Sequence, residues 1–268
     1  MIPKVIHYCW FGKGQKSDLI KKCMASWSRI LPEYKLKEWN EDNFDINSVP
    51  FVHEAYKHRK WAYVSDYVRL YALYHEGGIY MDTDVEVLKP IDGFLTNVAF
   101  TGYESSGSAL TGIMASEKGG VWVKDLLDDY EKRHFETYHG QPDLTPNTVH
   151  ADKVMKQHGM RLDRHEENLP EYVHLYPSDY FCPKTFDTGI VDITSNTYCI
   201  HHFAGSWLPL QGRLCRWFSV RGHLRIGYYV AYFCRRPDIV FLDVIDFIRF
   251  KVFRLKGKPF LAINKAKK

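Results

Sequence analysis

The chain has none of the short cysteine spacings that zinc sites and redox pairs use. Its six cysteines, Cys9, Cys23, Cys182, Cys199, Cys215 and Cys234, include no C-x-x-C pair and read as free thiols of a reducing compartment. It also lacks a run of about 18 apolar residues, which excludes a simple membrane-spanning helix. At the start, Pro3 and His7 stand where a signal peptide carries an unbroken apolar stretch, so the expected location is cytoplasmic. Gly12 and Gly14 have no third glycine to complete a dinucleotide fingerprint, and there is no P-loop lysine motif. No G-x-S-x-G elbow supports a serine hydrolase. Internal repeats and low-complexity linkers are absent as well.

What is present is material for an ordinary core: 268 residues, 45% of them hydrophobic, enough for one large α/β domain with or without an appendage. Aromatic residues reach 15%, which suits a carbohydrate site or an interfacial surface. The net charge of +4 hides a division. From Gln211 to Lys268 there are 14 Lys and Arg against three acids, or +11, leaving 22 basic and 29 acidic residues, or −7, for 1–210. The two parts face different partners.

Lys4 to Phe11 is a short apolar, β-favouring run ended by glycines and reads as a buried strand. Ser17-Asp18 supplies capping chemistry for a helix over about 17–30, and Pro32 lies just past its end. Tyr34 to Trp39 follows as a second strand, so the chain opens as a βαβ sheet. Lys60 to Glu76 contains no Gly or Pro, and Val64, Tyr67, Val68, Tyr71 and Tyr74 share one helical face. Gly77 is expected to end that helix in a left-handed C′ position. Ile79–Met81 then forms a strand whose carboxyl end carries Asp82 and Asp84, the end at which open α/β sheets bind ligands. Further strands are expected at Val98–Gly102, Leu110–Ala115 and Tyr198–Phe203, with helices at Val121–His134 and Thr148–His158.

A bare D-x-D arises by chance about once in a chain of this size, and its bland reading is a solvated acidic turn or capping pair. At a strand end, however, the two carboxylates can converge on one cation, and oxygen ligands suit Mg²⁺ or Mn²⁺. Such an ion neutralises charge when a sugar–phosphate bond breaks. Asp66 and Arg69 are three residues apart, neighbours on one helical face, with an internal salt bridge as the plain alternative.

Residues Ala62 to Val85 read A-x-x-x-D-x-x-R-L-x-A-L-x-x-x-G-G-I-Y-x-D-x-D-V. This segment resembles glycosyltransferase family 32, whose sugar-binding region contains the DXD motif and which includes capsular polysaccharide enzymes and fungal-type mannosyltransferases. The opening Ile2 to Gly12 is similar to that family's first strand, and His201-His202-Phe203-Ala204-Gly205-Ser206-Trp207 to its late H-x-x-x-x-S-W signature. The three matches span 1–207 in the expected order.

The resemblance implies a GT-A fold, Rossmann-like with a mixed central sheet, a nucleoside diphosphate sugar donor, a divalent metal and retention of anomeric configuration. Carried over by position, Asp82 and Asp84 correspond to the metal and diphosphate pair, and Asp66 and Arg69 to helix residues that contact the donor sugar or ribose. Trp10 corresponds to the ring stacked on the nucleobase, and a core role is its alternative. His201 is the better-spaced metal ligand with respect to Ser206 and Trp207, with His202 left open and one core plus one surface histidine as the alternative. Trp207 would close over the diphosphate. A histidine ligand tilts the metal toward Mn²⁺ over Mg²⁺. Front-face attack guided by the donor phosphate is favoured, because no carboxylate nucleophile can be named from the sequence.

The expected architecture is therefore α/β, a GT-A-like catalytic domain over 1–210 with a basic, aromatic-rich helical appendage over 211–268. Arginines 213, 216, 221, 225, 235 and 236 interleave with aromatic residues there, a combination that suits an anionic membrane surface. RNA binding uses similar materials, and a helical subdomain with a solvated basic face is the plain alternative. The expected partners are a nucleotide-sugar donor, a saccharide or lipid-linked glycan acceptor and the inner membrane face, with no nucleic acid. Two rivals remain: another metal-dependent nucleotide-sugar enzyme, a hydrolase or nucleotidyltransferase, and a non-catalytic carbohydrate- or lipid-binding protein.

Overall fold

Strand and helix alternate from the first residues of the computed structural model, which describes residues 1–205 together with Leu208 and Trp217. Ser206, Trp207 and the basic 211–268 segment, apart from Trp217, lie outside the described residues, so the expectations for them are not tested by the fold. The elements are β1 (Val5–Cys9), α1 (Asp18–Ile30), β2 (Lys35–Trp39), α2 (Pro50–Lys57), α3 (Trp61–Glu76), β3 (Gly78–Met81), β4 (Val85–Val87) and β5 (Ala99–Gly102). They continue with β6 (Ile113–Ser116), α4 (Val121–Glu131), α5 (Asn147–Gln157), β7 (Glu167–Leu169), β8 (Val173–Tyr176), α6 (Ser178–Phe181) and β9 (Cys199–His201).

Seven strands form a mixed sheet in the order β2-β1-β3-β6-β5-β8-β7, the Rossmann-like α/β architecture that the resemblance implies. β1 pairs in parallel with β2 and β3, β6 runs antiparallel to both β3 and β5, and β8 is parallel to β5. Successive side chains of the central strands go to opposite faces. Cys9, Tyr80 and Met114 join a core with α2 to α5, whereas Ile6, Tyr8, Ile79, Met81 and Ile113 join a second core containing Trp27 of α1. Because both faces are covered, β1 and β3 read as continuous apolar runs instead of alternating ones.

Helix α3 is buried on most of its circumference, including Tyr63, Val64, Val68, Leu70, Ala72 and Leu73. Each large aliphatic side chain buried in this way stabilises the fold by about 1.5–3 kcal/mol. The helix stops at Gly77, but not in the left-handed conformation expected. Gly77 has φ 69° and ψ −179°, a region essentially restricted to glycine, because the chain must turn directly into β3. A Cβ on Gly77 would lie 2.7 Å from the Lys118 backbone nitrogen. The Gly77 carbonyl faces the buried His7, whose Nε2 is 2.8 Å away while Trp39 Nε1 donates to His7 Nδ1 at 3.1 Å. His7 therefore carries its proton on Nε2.

Other boundaries also move. β6 begins at Ile113 and not at Leu110, because the preceding residues turn: the Leu110 amide donates to Gly102 O, and Thr111 O accepts from Arg69. α4 ends at Glu131 and not at His134, where Glu54 gathers the amides of Phe135 and Glu136 and the His134 ring. Among the described residues Cys9, Cys23, Cys182 and Cys199 are free and buried, and no helix is long and apolar enough to cross a membrane.

Candidate active site

Strands β1, β2, β3, β5 and β8 run the same way, so their carboxyl ends share one sheet edge. A cavity of about 470 Å³ lies against residues of that edge, with Trp10, Trp61, Asp66, Arg69, Asp82 and Asp84 among its walls. This is within the range of small-molecule sites.

The D-x-D leaves β3 as a turn. The Asp82 amide donates to Gly112 O at 2.8 Å and the Val85 amide to Asp82 O at 3.0 Å, which brings the two carboxylates round a corner instead of along one strand face. β4 then pairs with β9, with Val85 opposite His201. The ladder continues as the His202 amide donates to Asp84 O at 3.0 Å, and the Ala204 amide donates to Asp84 Oδ2 at 2.6 Å. His201 Nε2 comes to 3.4 Å from Asp84 Oδ1 and 3.7 Å from Asp82 Oδ2. One ligand atom from each of Asp82, Asp84 and His201 lies within 4.8 Å of the others. His202 is directed elsewhere, 2.8 Å from Glu86.

Electrostatics follow from this packing. Burial works against ionisation of Asp84, but the His201 ring and the Ala204 amide hold its carboxyl well below the usual carboxylate range. Burial likewise works against a charged His201, yet Asp84 beside it raises the imidazole well above its ordinary value. Among the described residues its second nitrogen, Nδ1, is buried with no nitrogen or oxygen partner, and the Cys182 thiol beside the ring also raises the imidazole. Four carboxylates, Asp66, Asp82, Asp84 and Glu104, line the cavity against Arg69 and His201. An excess of negative charge with two carboxylates and an imidazole converging fits a divalent cation, and the imidazole suits Mn²⁺ better than Mg²⁺.

Arg69 anchors the second half of the site. Its guanidinium donates to Thr111 O at 2.5 Å, to Ser65 O at 3.2 Å and to Asp66 Oδ1 at 2.8 Å. It also lies 3.4 Å from Asp82 and 4.6 Å from the centre of the Tyr80 ring, whose hydroxyl donates to Asp82 at 2.8 Å. Asp66 takes a second bond from Asn147 Nδ2 at 2.7 Å. Burial pushes the Asp66 carboxyl up to about 6, against the pull of Arg69. Trp10 lies just past β1 in the cavity wall. Its Nε1 donates to Gly14 O at 2.8 Å, and Lys16 Nζ sits 4.9 Å from its ring centre.

Residues 17–101 match the family model described as "Glycosyltransferase sugar-binding region containing DXD motif". Residues 17–101 are thus similar to the sugar-binding region of the DXD glycosyltransferases. Inositol phosphoceramide mannosyltransferase 1 of Schizosaccharomyces pombe is 29% identical over 109 residues, 37% of this chain and 33% of that protein. The matched part thus spans about a third of that relative's length. An uncharacterised glycosyltransferase of Acanthamoeba polyphaga mimivirus is 25% identical over 241 residues, 84% of this chain and 90% of the relative. Among solved structures, the PaToxG glycosyltransferase overlaps with a TM-score of 0.42 at 20% identity, over 61% of this chain and 75% of that one. Mouse xyloside xylosyltransferase 1 overlaps with a TM-score of 0.41 at 12% identity, over 76% and 99%.

The fold brings Trp10, Asp66, Arg69, Asp82, Asp84 and His201 to one cavity, the four aspartate and arginine residues from within the matched segment and Trp10 and His201 from outside it. Sequence reasoning missed Asn147, Thr111, Tyr80 and Glu104. Asn147 stands at the start of α5, where a polar residue reads as a helix cap, and only its contacts with Asp66 and Thr111 show its place in the site.

Proposed function

We propose that residues 1–210 form a metal-dependent glycosyltransferase domain. It moves a hexose from a nucleoside diphosphate sugar, UDP-linked in preference to GDP-mannose, to a saccharide hydroxyl with retention, in cell-surface polysaccharide or glycan synthesis. The observation that carries this reading is the convergence of Asp82, Asp84 and His201 in the wall of a cavity that Asp66, Arg69 and Trp10 also line.

In this reading Asp82, Asp84 and His201 hold Mn²⁺ or Mg²⁺, which when bound offsets the charge of the departing diphosphate. Arg69, fixed by two backbone carbonyls, bridges Asp66 and Asp82 through one guanidinium nitrogen and offsets their mutual repulsion. Among the described residues Asp66 receives its two hydrogen bonds on Oδ1, which leaves Oδ2 for a hydroxyl of the donor sugar. Trp10 offers its ring to the base. Ser206 and Trp207, outside the described residues, are assigned to the diphosphate from the sequence resemblance alone. The 211–268 segment is assigned to an anionic membrane surface carrying a lipid-linked acceptor, a role consistent with the fission-yeast relative's name, which pairs mannosyl transfer with inositol phosphoceramide.

Product analysis with labelled UDP- and GDP-sugars, Mn²⁺ and saccharide acceptors tests the reading. Release of a nucleoside diphosphate with the sugar on an acceptor is expected. A nucleoside monophosphate with a sugar phosphate would assign a hydrolase instead, and no consumption of any donor would leave a binding protein. For the membrane part, flotation with anionic liposomes compares the full chain with a version ending near Gln211. If neither floats, that part is wrong.

A further inference from the structure

Asp66, Arg69, Thr111 and Asn147 each wall two spaces, the large cavity and a separate void of about 20 Å³ where α3, α4 and α5 meet. Asp129 of α4 and His150 of α5 also line the void. It is too small for a sugar, but it has room for one water, which needs on the order of 10–15 Å³ and two or more polar partners.

One of those partners stands ready. His150 Nδ1 lies 3.7 Å from Asp129 Oδ2, which also pairs with Arg133 at 3.4 Å. Its Nε2 is buried and has no hydrogen-bond partner among the described residues, a costly state for a ring nitrogen. Burial and the Arg133 charge lower the imidazole below its ordinary value, against the pull of Asp129 and Asp143. The ring is therefore neutral near pH 7, and with its proton on Nδ1 toward Asp129 it leaves Nε2 as a bare acceptor. Across the void, Asp66 is held by Arg69 at 2.8 Å and by Asn147 at 2.7 Å, both on Oδ1. A carboxylate accepts about four hydrogen bonds, so Oδ2 has room for a water as well as a donor hydroxyl.

We propose that the void binds one structural water, which donates one hydrogen to His150 Nε2 and the other to the Asp66 carboxylate, and that His150 is thereby a positioning residue of the donor site. A carboxylate gripped at one oxygen can still turn about that oxygen. A bond at the second oxygen fixes its plane, and a bridging water supplies such a bond nearly as well as a direct contact. The consequence for the donor rests on the glycosyltransferase reading above, whereas the water and its two bonds do not.

High-resolution crystallography of the full chain is expected to show a water oxygen within about 3.2 Å of both His150 Nε2 and an Asp66 carboxylate oxygen. No density in the void, or a water bonded to only one of the two, would overturn the proposal. Urea unfolding of His150→Leu, Asp66→Asn and the double variant measures the link between them. The unfolding constant of the double variant should depart by at least about twofold from that of independent sites, and additive effects would remove the positioning role. With whichever UDP- or GDP-sugar the wild-type protein consumes, His150→Leu raises KM by roughly 3–10-fold with kcat within about twofold. His150→Gln, which carries a polar group near the Nε2 position, recovers part of the loss. A fall in kcat at unchanged KM, or no recovery with glutamine, contradicts that role. If the wild-type protein consumes no nucleotide sugar, the glycosyltransferase reading falls, while the crystallographic and unfolding results still decide for or against the water bridge.

Discussion

His201 and Asp84 approach to 3.4 Å although one ends the last described strand, β9, and the other follows β3, nearly 120 residues earlier. The β4–β9 ladder is the cause, since it sets Val85 opposite His201 and extends through the His202 amide to Asp84. The histidine belongs to the acidic corner by backbone pairing, and its neighbour His202 is turned toward Glu86 by the same register.

That register separates the two histidines in a metal titration. Asp84→Asn and His201→Ala each weaken Mn²⁺ binding by at least about 10–100-fold, the scale seen even for groups that only support a ligand. His202→Ala changes it by less than about threefold. Electron paramagnetic resonance of free Mn²⁺ reads all three, and equal losses for His201 and His202 would contradict the assignment.

Metal affinity should also follow pH. Burial opposes the charged His201 ring, but Asp84 keeps its proton bound well above the ordinary histidine value, and that proton blocks ligation. Affinity therefore rises with pH by up to about tenfold per unit while the ring is protonated, levels off above its pKa, and binding releases a proton. Calorimetry in buffers of different ionisation enthalpy measures that release. A pH-independent affinity with no proton released would contradict the account.

Asn147→Ala removes a 2.7 Å bond to Asp66 and a 3.1 Å bond from Thr111. Loss of about 1 kcal/mol of stability is expected, together with donor affinity weakened about 5–10-fold because Asp66 is less well held. Donor titration with and without the substitution checks this, and Mn²⁺ affinity in the absence of donor should stay near wild type.

Gly77→Ala forces a Cβ into φ 69°, ψ −179° and to within 2.7 Å of the Lys118 nitrogen. The cost should be about 2–4 kcal/mol, or a fall in Tm on the order of 5–15 °C. Gly93→Ala, with nothing within 4 Å of the added Cβ, should stay within about 0.5 kcal/mol. Differential scanning calorimetry of the two variants tests the difference.

The elements that were legible before the structure are those with long periodic signals or strong punctuation. α3 is 16 residues long and ends at a double glycine, and β1 and β3 are apolar runs covered on both faces. Short elements were not legible. β7 and β8 have three and four residues, too few for alternation to register, and α2 begins at Pro50 with no side-chain cap. Gly77 was legible as a stop, but its conformation was not, because the tight entry into β3 sets ψ. In the site, Asp82, Asp84 and Arg69 could be named because they fall in the segment that resembles the DXD glycosyltransferases, whereas spacing alone left a chance D-x-D and an internal salt bridge open. Asn147, Thr111 and Glu104 could not, because their roles come from what the sheet order sets beside them.

The most direct test of the central claim is calorimetric titration of UDP and GDP into the protein with and without Mn²⁺, for the wild type and for Asp82→Ala with Asp84→Ala. The account predicts that a nucleoside diphosphate binds the wild type only with Mn²⁺ present and that the double variant loses this metal-dependent binding. Undiminished affinity in the double variant, or in the presence of a chelator, would contradict it.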